Sequence, residues 1–371
     1  MGASSRIRDM NSSSMTEPYS TPDSGFDELF LQDHPLIDVR APIEFQSGHF
    51  PKSVNLPILE DHERHQVGIC YREQGQEAAI QLGHRLVSGD IKKSRLEKWL
   101  RFIETHPEAK LYCYRGGLRS STATHWIQET GTQITRIPGG YKALRNHLLN
   151  RLPELVKSQT YLIIGGKTGS GKTHFLNHHA RQSINLEALA NHRGSSFGFL
   201  GPQPSQITFE NSLIIALMKA GNTGRVLLED ESVMIGSLII PEQLFTAMKH
   251  SPIYLLEVPI ETRAETLVND YVMDRLRSRG ESIESVHRFF ISNLARIEKK
   301  LGGLVHSQIS SMVSKSFHSS DALLPETHRD WVKALLFHYY DPLYERSIER
   351  SKSRIVARAD ENELASLLKL V

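Results

Sequence analysis

One eight-residue segment, GKTGSGKT from Gly166 to Thr173, constrains the chain more than any other. It follows the apolar run TYLIIG and precedes HFLNHHA, so it reads as a glycine-rich turn between a strand and a helix. Gly166, Gly169 and Gly171 free the backbone to curl. Successive N–H groups of such a curl, with the positive end of the helix behind them, wrap an anion. The loop suits a diphosphate, with Lys172 reaching its outer oxygens and Thr173 placed to hold a Mg²⁺ ion. Further along, RVLLEDES reads as a strand with a Walker B-like acidic end at Asp230 and Glu231 beside it.

Short apolar runs alternate with helical periodicity on both sides of this loop. PLIDV, KSVNLPI, KLYCY and TRIPGG read as strands, separated by the helical segments QEAAIQLGHRLV and RLEKWLRFI. That alternation predicts parallel α/β sheets. The helical connector YKALRNHLLNRLPELVKS marks a boundary, giving one domain over residues 26–150 and a second over 151–371, whose last part turns helical. Residues 1–25 are rich in Ser, Thr, Pro and Asp and are expected to be disordered, for want of apolar surface to offset the ordering entropy. From Ser282 to Leu301, Ile283, Val286, Phe290, Leu294, Ile297 and Leu301 form one helix stripe. The opposite face carries His287, Arg288, Arg296, Lys299 and Lys300, which fits either a solvated face or one that follows an RNA backbone.

With 371 residues and a net charge of +2, the chain has length for two domains but no global charge that demands nucleic acid. The two cysteines, Cys70 and Cys113, cannot form the disulfide framework of a small secreted domain. There is no run of some 18 apolar residues and no apolar leader, so the expectation is a cytoplasmic protein with no membrane partner.

A second anion cradle lies in KLYCYRGGLRSSTATHWIQET, a strand, a turn and a helix with its N-cap expected at Ser120 or Ser121. Cys113 stands at the mouth of the turn. Inward N–H groups from Tyr114 to Arg119 and the helix end favour an anion and a thiolate there. Arg115 and Arg119 add positive charge, and Gly116 and Gly117 permit the curl. On this reading Cys113 is a reactive thiol in a surface loop. Cys70, in a helix-flanking segment, is dispensable.

Upstream, IDVRAPIEFQSGHFPKSVNLP resembles the rhodanese pattern through Asp38, Val39, Arg40, Glu44, Gly48, His49, Asn55 and Pro57. The resemblance implies a rhodanese-like parallel sheet domain in which Asp38 and Arg40 are scaffold. A P-loop NTPase-like α/β domain with a helical C-terminal part follows. The cysteine loop carries one glycine more than the common short rhodanese loop, and it also spells Cys-x5-Arg, the spacing of cysteine phosphatases.

The ordered segments ERHQVGICYREQGQEAAIQLG, CYRGGLRSS, PGGYKALR, LEALANHRGSSFG, LEDESVMIGS and YYDPLY resemble the tRNA 2-selenouridine synthase family from about residue 30 to 355. That resemblance implies a transferase acting on wobble 2-thiouridine in tRNA. It would geranylate the thiocarbonyl sulfur from geranyl diphosphate, then exchange the geranylthio group for selenium from selenophosphate; the P-loop suits that diphosphate donor or, alternatively, a nucleotide. It implies a catalytic Cys113, donor or tRNA contacts at His192, Arg193 and Ser195, no tightly bound cofactor and no metal site beyond Mg²⁺ at the P-loop. A selenophosphate-supplying enzyme is a further partner. Two other readings stay open on the residues alone. One is a cysteine phosphatase fused to a small-molecule kinase, although Tyr112 stands where phosphatases usually carry His. The other is a non-catalytic sulfur-carrier or tRNA-binding module.

Overall fold

A computed structural model describes residues 23–193, 197–198, 201–221 and 224–369. The expected disorder of residues 1–25 therefore lies mostly outside the described residues. A helix, Asp23–Leu31, already begins at its edge and buries Phe26, Leu29 and Phe30.

The first sheet contains β1 (Leu36–Asp38), β2 (Ser53–Asn55), β3 (Lys110–Tyr112) and β4 (Thr135–Arg136). All are parallel, in the order β2-β1-β3-β4. The central β1 is buried throughout, as a strand covered on both faces must be. At its end Arg40 folds back on Asp38, with Nη2 donating to Oδ2 at 2.6 Å and to the Gly48 carbonyl at 2.7 Å. Asn55 ties the same turn by donating to the carbonyls of Asp38 and Arg40. The buried Asp-Val-Arg and the half-buried Asn of the motif thus form one hydrogen-bonded corner.

A long helical stretch, Asp61–Leu86, breaks at Gly75, whose φ of +86° favours glycine. Cys70 does not flank this element. It sits inside the stretch and is buried, because QVGIC continues the helical turn that the sequence reading left unassigned.

The second sheet runs β11-β10-β5-β7-β6. Its strands are β5 (Thr160–Gly166), β6 (Ser183–Ile184), β7 (Arg225–Glu229), β10 (Ile253–Leu256) and β11 (Ile355–Ala359). A small hairpin of β8 (Met234–Ile235) and β9 (Leu238–Ile239) stands apart. Alternation along β5 sends Tyr161 and Ile163 to one apolar cluster and Leu162 and Ile164 to another, so both sheet faces are covered. The C-terminal helices bury their own cluster around Phe290 and Trp331, and the stripe read over residues 282–301 forms the helix Ile283–Leu301. His287 on its opposite face meets Ser314 at 3.1 Å, so it packs on a neighbouring helix.

The two sheets share one apolar cluster, which runs from Phe50 and Tyr112 to Phe209 and Leu228 through the helix Gly140–Ser158. Polar contacts reinforce the seam. Asn211 Nδ2 donates to the His49 carbonyl at 2.9 Å, and Arg145 bonds Asn211 at 2.8 Å and pairs with Glu210. A Cβ at Gly48 would stand 2.6 Å from the Ile207 side chain, so this position needs glycine for space. Among the described residues no helix is long and apolar enough to cross a membrane.

Candidate functional site

Cys113 follows β3, and the chain turns back beneath the helix Leu118–Gln128. This helix starts earlier than the sequence suggested. Gly117 is its cap, and Ser120 Oγ turns back to donate to the Gly117 carbonyl at 3.0 Å. The first-turn N–H groups of Leu118, Arg119 and Ser120 lack intrahelical acceptors by construction, which leaves a positive end at the loop. The thiol lies against that turn and donates to Ser120 Oγ at 3.2 Å. Nor is it the thiol of an open surface loop. Cys113 is only 3% exposed, because its side chain packs among Val39, Leu111 and Ala123 while the loop curls over it.

The loop is held by the segment PGGYK, which had no assigned role from the sequence. Tyr141 N–H donates to the Cys113 carbonyl and Lys142 N–H to the Tyr114 carbonyl, both at 2.9 Å. A Cβ at Gly140 would meet the Cys113 carbonyl at 2.2 Å, and one at Gly116 would meet Gly139 N at 2.8 Å. PGGYK and RGG are therefore complementary turns. Arg40 supports them from below, its guanidinium carbon 3.8 Å from the centre of the Tyr141 ring.

The two arginines of the loop differ. Arg115 is exposed at the tip, near the Tyr114 ring. Arg119 is engaged by Glu44, which Arg64 also meets at 3.0 Å. Burial alone would raise the Glu44 carboxyl, but Arg119 and then Arg64 outweigh it and hold it below the usual carboxylate range.

At the second cradle Gly166, Gly169 and Gly171 all take positive φ, at +150°, +80° and +82°. A Cβ at Gly169 would meet the Arg263 carbonyl at 2.7 Å. Lys172 begins the helix Lys172–His178, and its Nζ donates to the Gly166 carbonyl at 2.9 Å, 5.5 Å from the centre of the Tyr344 ring. Burial works against this ammonium, yet Tyr344, Glu187, Glu231 and Glu229 together raise its pKa above the ordinary value.

Thr173 Oγ1 lies 3.3 Å from Glu187 and 3.4 Å from Glu229. The acid facing the loop is thus Glu229, not the Asp230 expected from sequence. Along β7, Glu229 follows Leu227 onto the sheet face that bears Phe175 of the loop's helix. Asp230 follows Val226 and Leu228 to the other face and stands 3.9 Å from Lys249. Burial, then the negative charge of Glu187, pushes both the Glu229 and Glu231 carboxyls up to about 8.

The cradle opens into a cavity of about 200 Å³ lined by Lys172, Thr173, Arg193, Tyr271 and Tyr344, among others. Arg193 lies over the Tyr271 ring at 5.0 Å and donates to the Asp270 carbonyl. His192 is not in that lining. Its N–H donates to the Glu187 carbonyl, and burial lowers its pKa. Ser195 lies outside the described residues. Glu187, Tyr271 and Tyr344 are additions that the sequence reading missed.

A rhodanese-like sheet with a cysteine loop, joined to a P-loop sheet, defines a two-cradle enzyme class. The comparisons agree. The rhodanese-like domain family matches residues 26–147, and the family described as the tRNA 2-selenouridine synthase AAA domain matches residues 159–370. The chain is 42% identical to the tRNA 2-selenouridine synthase of Shewanella frigidimarina, over 91% of this chain and 95% of that relative. It is 44% identical to those of Shewanella denitrificans (91% and 95% covered) and Marinobacter nauticus (89% and 92%). The chain belongs to the tRNA 2-selenouridine synthase family.

Proposed function

We propose that the chain converts wobble 2-thiouridine of tRNA to 2-selenouridine in two stages, each using one cradle. The observation that carries this reading is the pairing of a nucleophile-bearing loop with a nucleophile-free loop sized for two phosphates, on sheets that share one core. At the P-loop the diphosphate of geranyl diphosphate lies against the N–H groups and Lys172. Carbon 1 of the geranyl group bonds to the thiocarbonyl sulfur as its bond to the diphosphate oxygen breaks. Alkylation makes the sulfur a better leaving group. At the cysteine loop selenophosphate then supplies selenium, the geranylthio group leaves as geranylthiol, and water supplies the oxygen of the released phosphate.

Thr173, Glu187 and Glu229 present hard oxygen donors of the kind that Mg²⁺ takes, so they would hold such an ion beside the diphosphate and offset its charge. Arg115 and the helix end would receive the selenophosphate anion, with the Cys113 thiol placed beside it at the first turn.

The test is incubation of purified protein with thiolated tRNA, geranyl diphosphate and selenophosphate, followed by nucleoside mass spectrometry. S-geranyl-2-thiouridine is expected with the first donor alone, and 2-selenouridine once the second is added. Unchanged 2-thiouridine under both conditions overturns the reading.

A further inference from the structure

Beside the cysteine loop, and separate from the P-loop cavity, lies a groove of about 650 Å³ that neither cradle explains. That volume falls within the roughly 300–1,000 Å³ of ordinary ligand sites. Both halves of the helical stretch split at Gly75 line it, Val67 and Tyr71 from the first and Ile80 from the second. Trp126 and Leu118, from the helix that begins in the cysteine loop, close the other side. Tyr71 and Leu118 are 57% and 54% exposed at its rim. An open apolar surface of this size marks an interaction site, since leaving it in water gains the free protein nothing.

Two features single out the occupant. Leu118 and Arg119 belong to both the groove wall and the first turn above Cys113, so anything lying in the groove has one end at the thiol's loop. The mouth carries Arg64 and Arg119, which share the single carboxylate of Glu44 and leave one positive charge over. The complementary ligand has an apolar arm attached to an anionic body.

We infer that the groove receives the geranyl chain of S-geranyl-2-thiouridine when the modified nucleoside is presented to Cys113, the excess positive charge at the mouth meeting the adjoining RNA phosphates. The inference rests on the two-stage reading above and adds a place for the intermediate. The first domain then recognises tRNA that has completed the first stage and disfavours tRNA that has not.

The experiment compares binding of two anticodon stem-loop RNAs, one with 2-thiouridine and one with S-geranyl-2-thiouridine, to full-length protein by fluorescence anisotropy. The wild type is expected to prefer the geranylated RNA by roughly tenfold or more, given the apolar surface that a ten-carbon chain buries. Ile80→Asn should erase that preference while leaving affinity for the 2-thiouridine RNA unchanged, since it removes apolar surface and adds no charge. Because Ile80 is partly buried, Tyr71→Ser at the exposed rim provides a second, uncharged variant that leaves the core untouched. A preference that survives in both folded variants overturns the groove and leaves the two-stage reading standing. Selenation of the 2-thiouridine RNA by wild type with no geranyl donor present overturns the two-stage reading, and the groove with it.

Discussion

Asp38→Ala strips the buried Arg40 guanidinium of its charge partner. Asp38 is fully buried and Arg40 is 2% exposed, and the carboxylate accepts from the Nε, Nη2 and backbone N–H of Arg40. The variant leaves the cation with the Gly48 carbonyl and the Tyr141 ring, which do not neutralise it. Removing one member of such a pair costs about 3–5 kcal/mol, a large fraction of the roughly 5–15 kcal/mol that holds a domain folded. The assay is urea denaturation followed by fluorescence, where Trp99 and Trp126 report on the first sheet's core. Since Tyr141 also clamps the Cys113 carbonyl, selenation should fall at denaturant concentrations below the unfolding transition. Replacing both partners, as Asp38→Leu with Arg40→Met, should cost less than Asp38→Ala alone, because no charge is then left buried. A loss under about 1 kcal/mol in Asp38→Ala, or a double variant that is worse, refutes the role assigned to the pair.

Lys172→Ala forfeits a charge-assisted contact of about 1.5–3 kcal/mol, so geranyl diphosphate should bind roughly 10- to 100-fold more weakly by calorimetry; unaltered affinity contradicts the cradle. Glu229→Gln should change the Mg²⁺ dependence of donor binding while Asp230→Asn leaves it alone, and the reverse result would restore Asp230 as the acid. The raised carboxyl at Glu229 has a stability signature. Its proton is held in the folded state from about 4.5 up to about 8, so the stabilisation is complete below the lower value and is lost as the pH rises through the upper one. Thermal melts without ligand should therefore show wild type losing ground to Glu229→Gln as the pH rises across that window, and a constant difference contradicts the burial argument.

Much of this was legible in the sequence because its signals are local. A P-loop is a strand, a set of positive-φ glycines and a helix in one short segment, and Gly166, Gly169 and Gly171 adopt the angles that the motif demands. The choice between Glu229 and Asp230 was not legible, because strand alternation from Leu227 fixes which acid meets Thr173 only once the second sheet's faces are assigned. Other parts depend on distant segments. The burial of Cys113 and the pairing of Arg119 with Glu44 follow from how a loop near residue 140 and a helix near residue 44 close on the cysteine turn. The groove required the bend at Gly75 to bring two half-helices opposite Trp126, a meeting that no local pattern announces.

The central claim is that the two cradles divide the chemistry, and Cys113→Ala tests it most directly. The variant protein is incubated with thiolated tRNA, geranyl diphosphate and selenophosphate, and the nucleosides are resolved by mass spectrometry. Accumulation of S-geranyl-2-thiouridine with no 2-selenouridine is the predicted result. Arrest at 2-thiouridine would make the cradles one composite site, and formation of 2-selenouridine would remove Cys113 from the reaction.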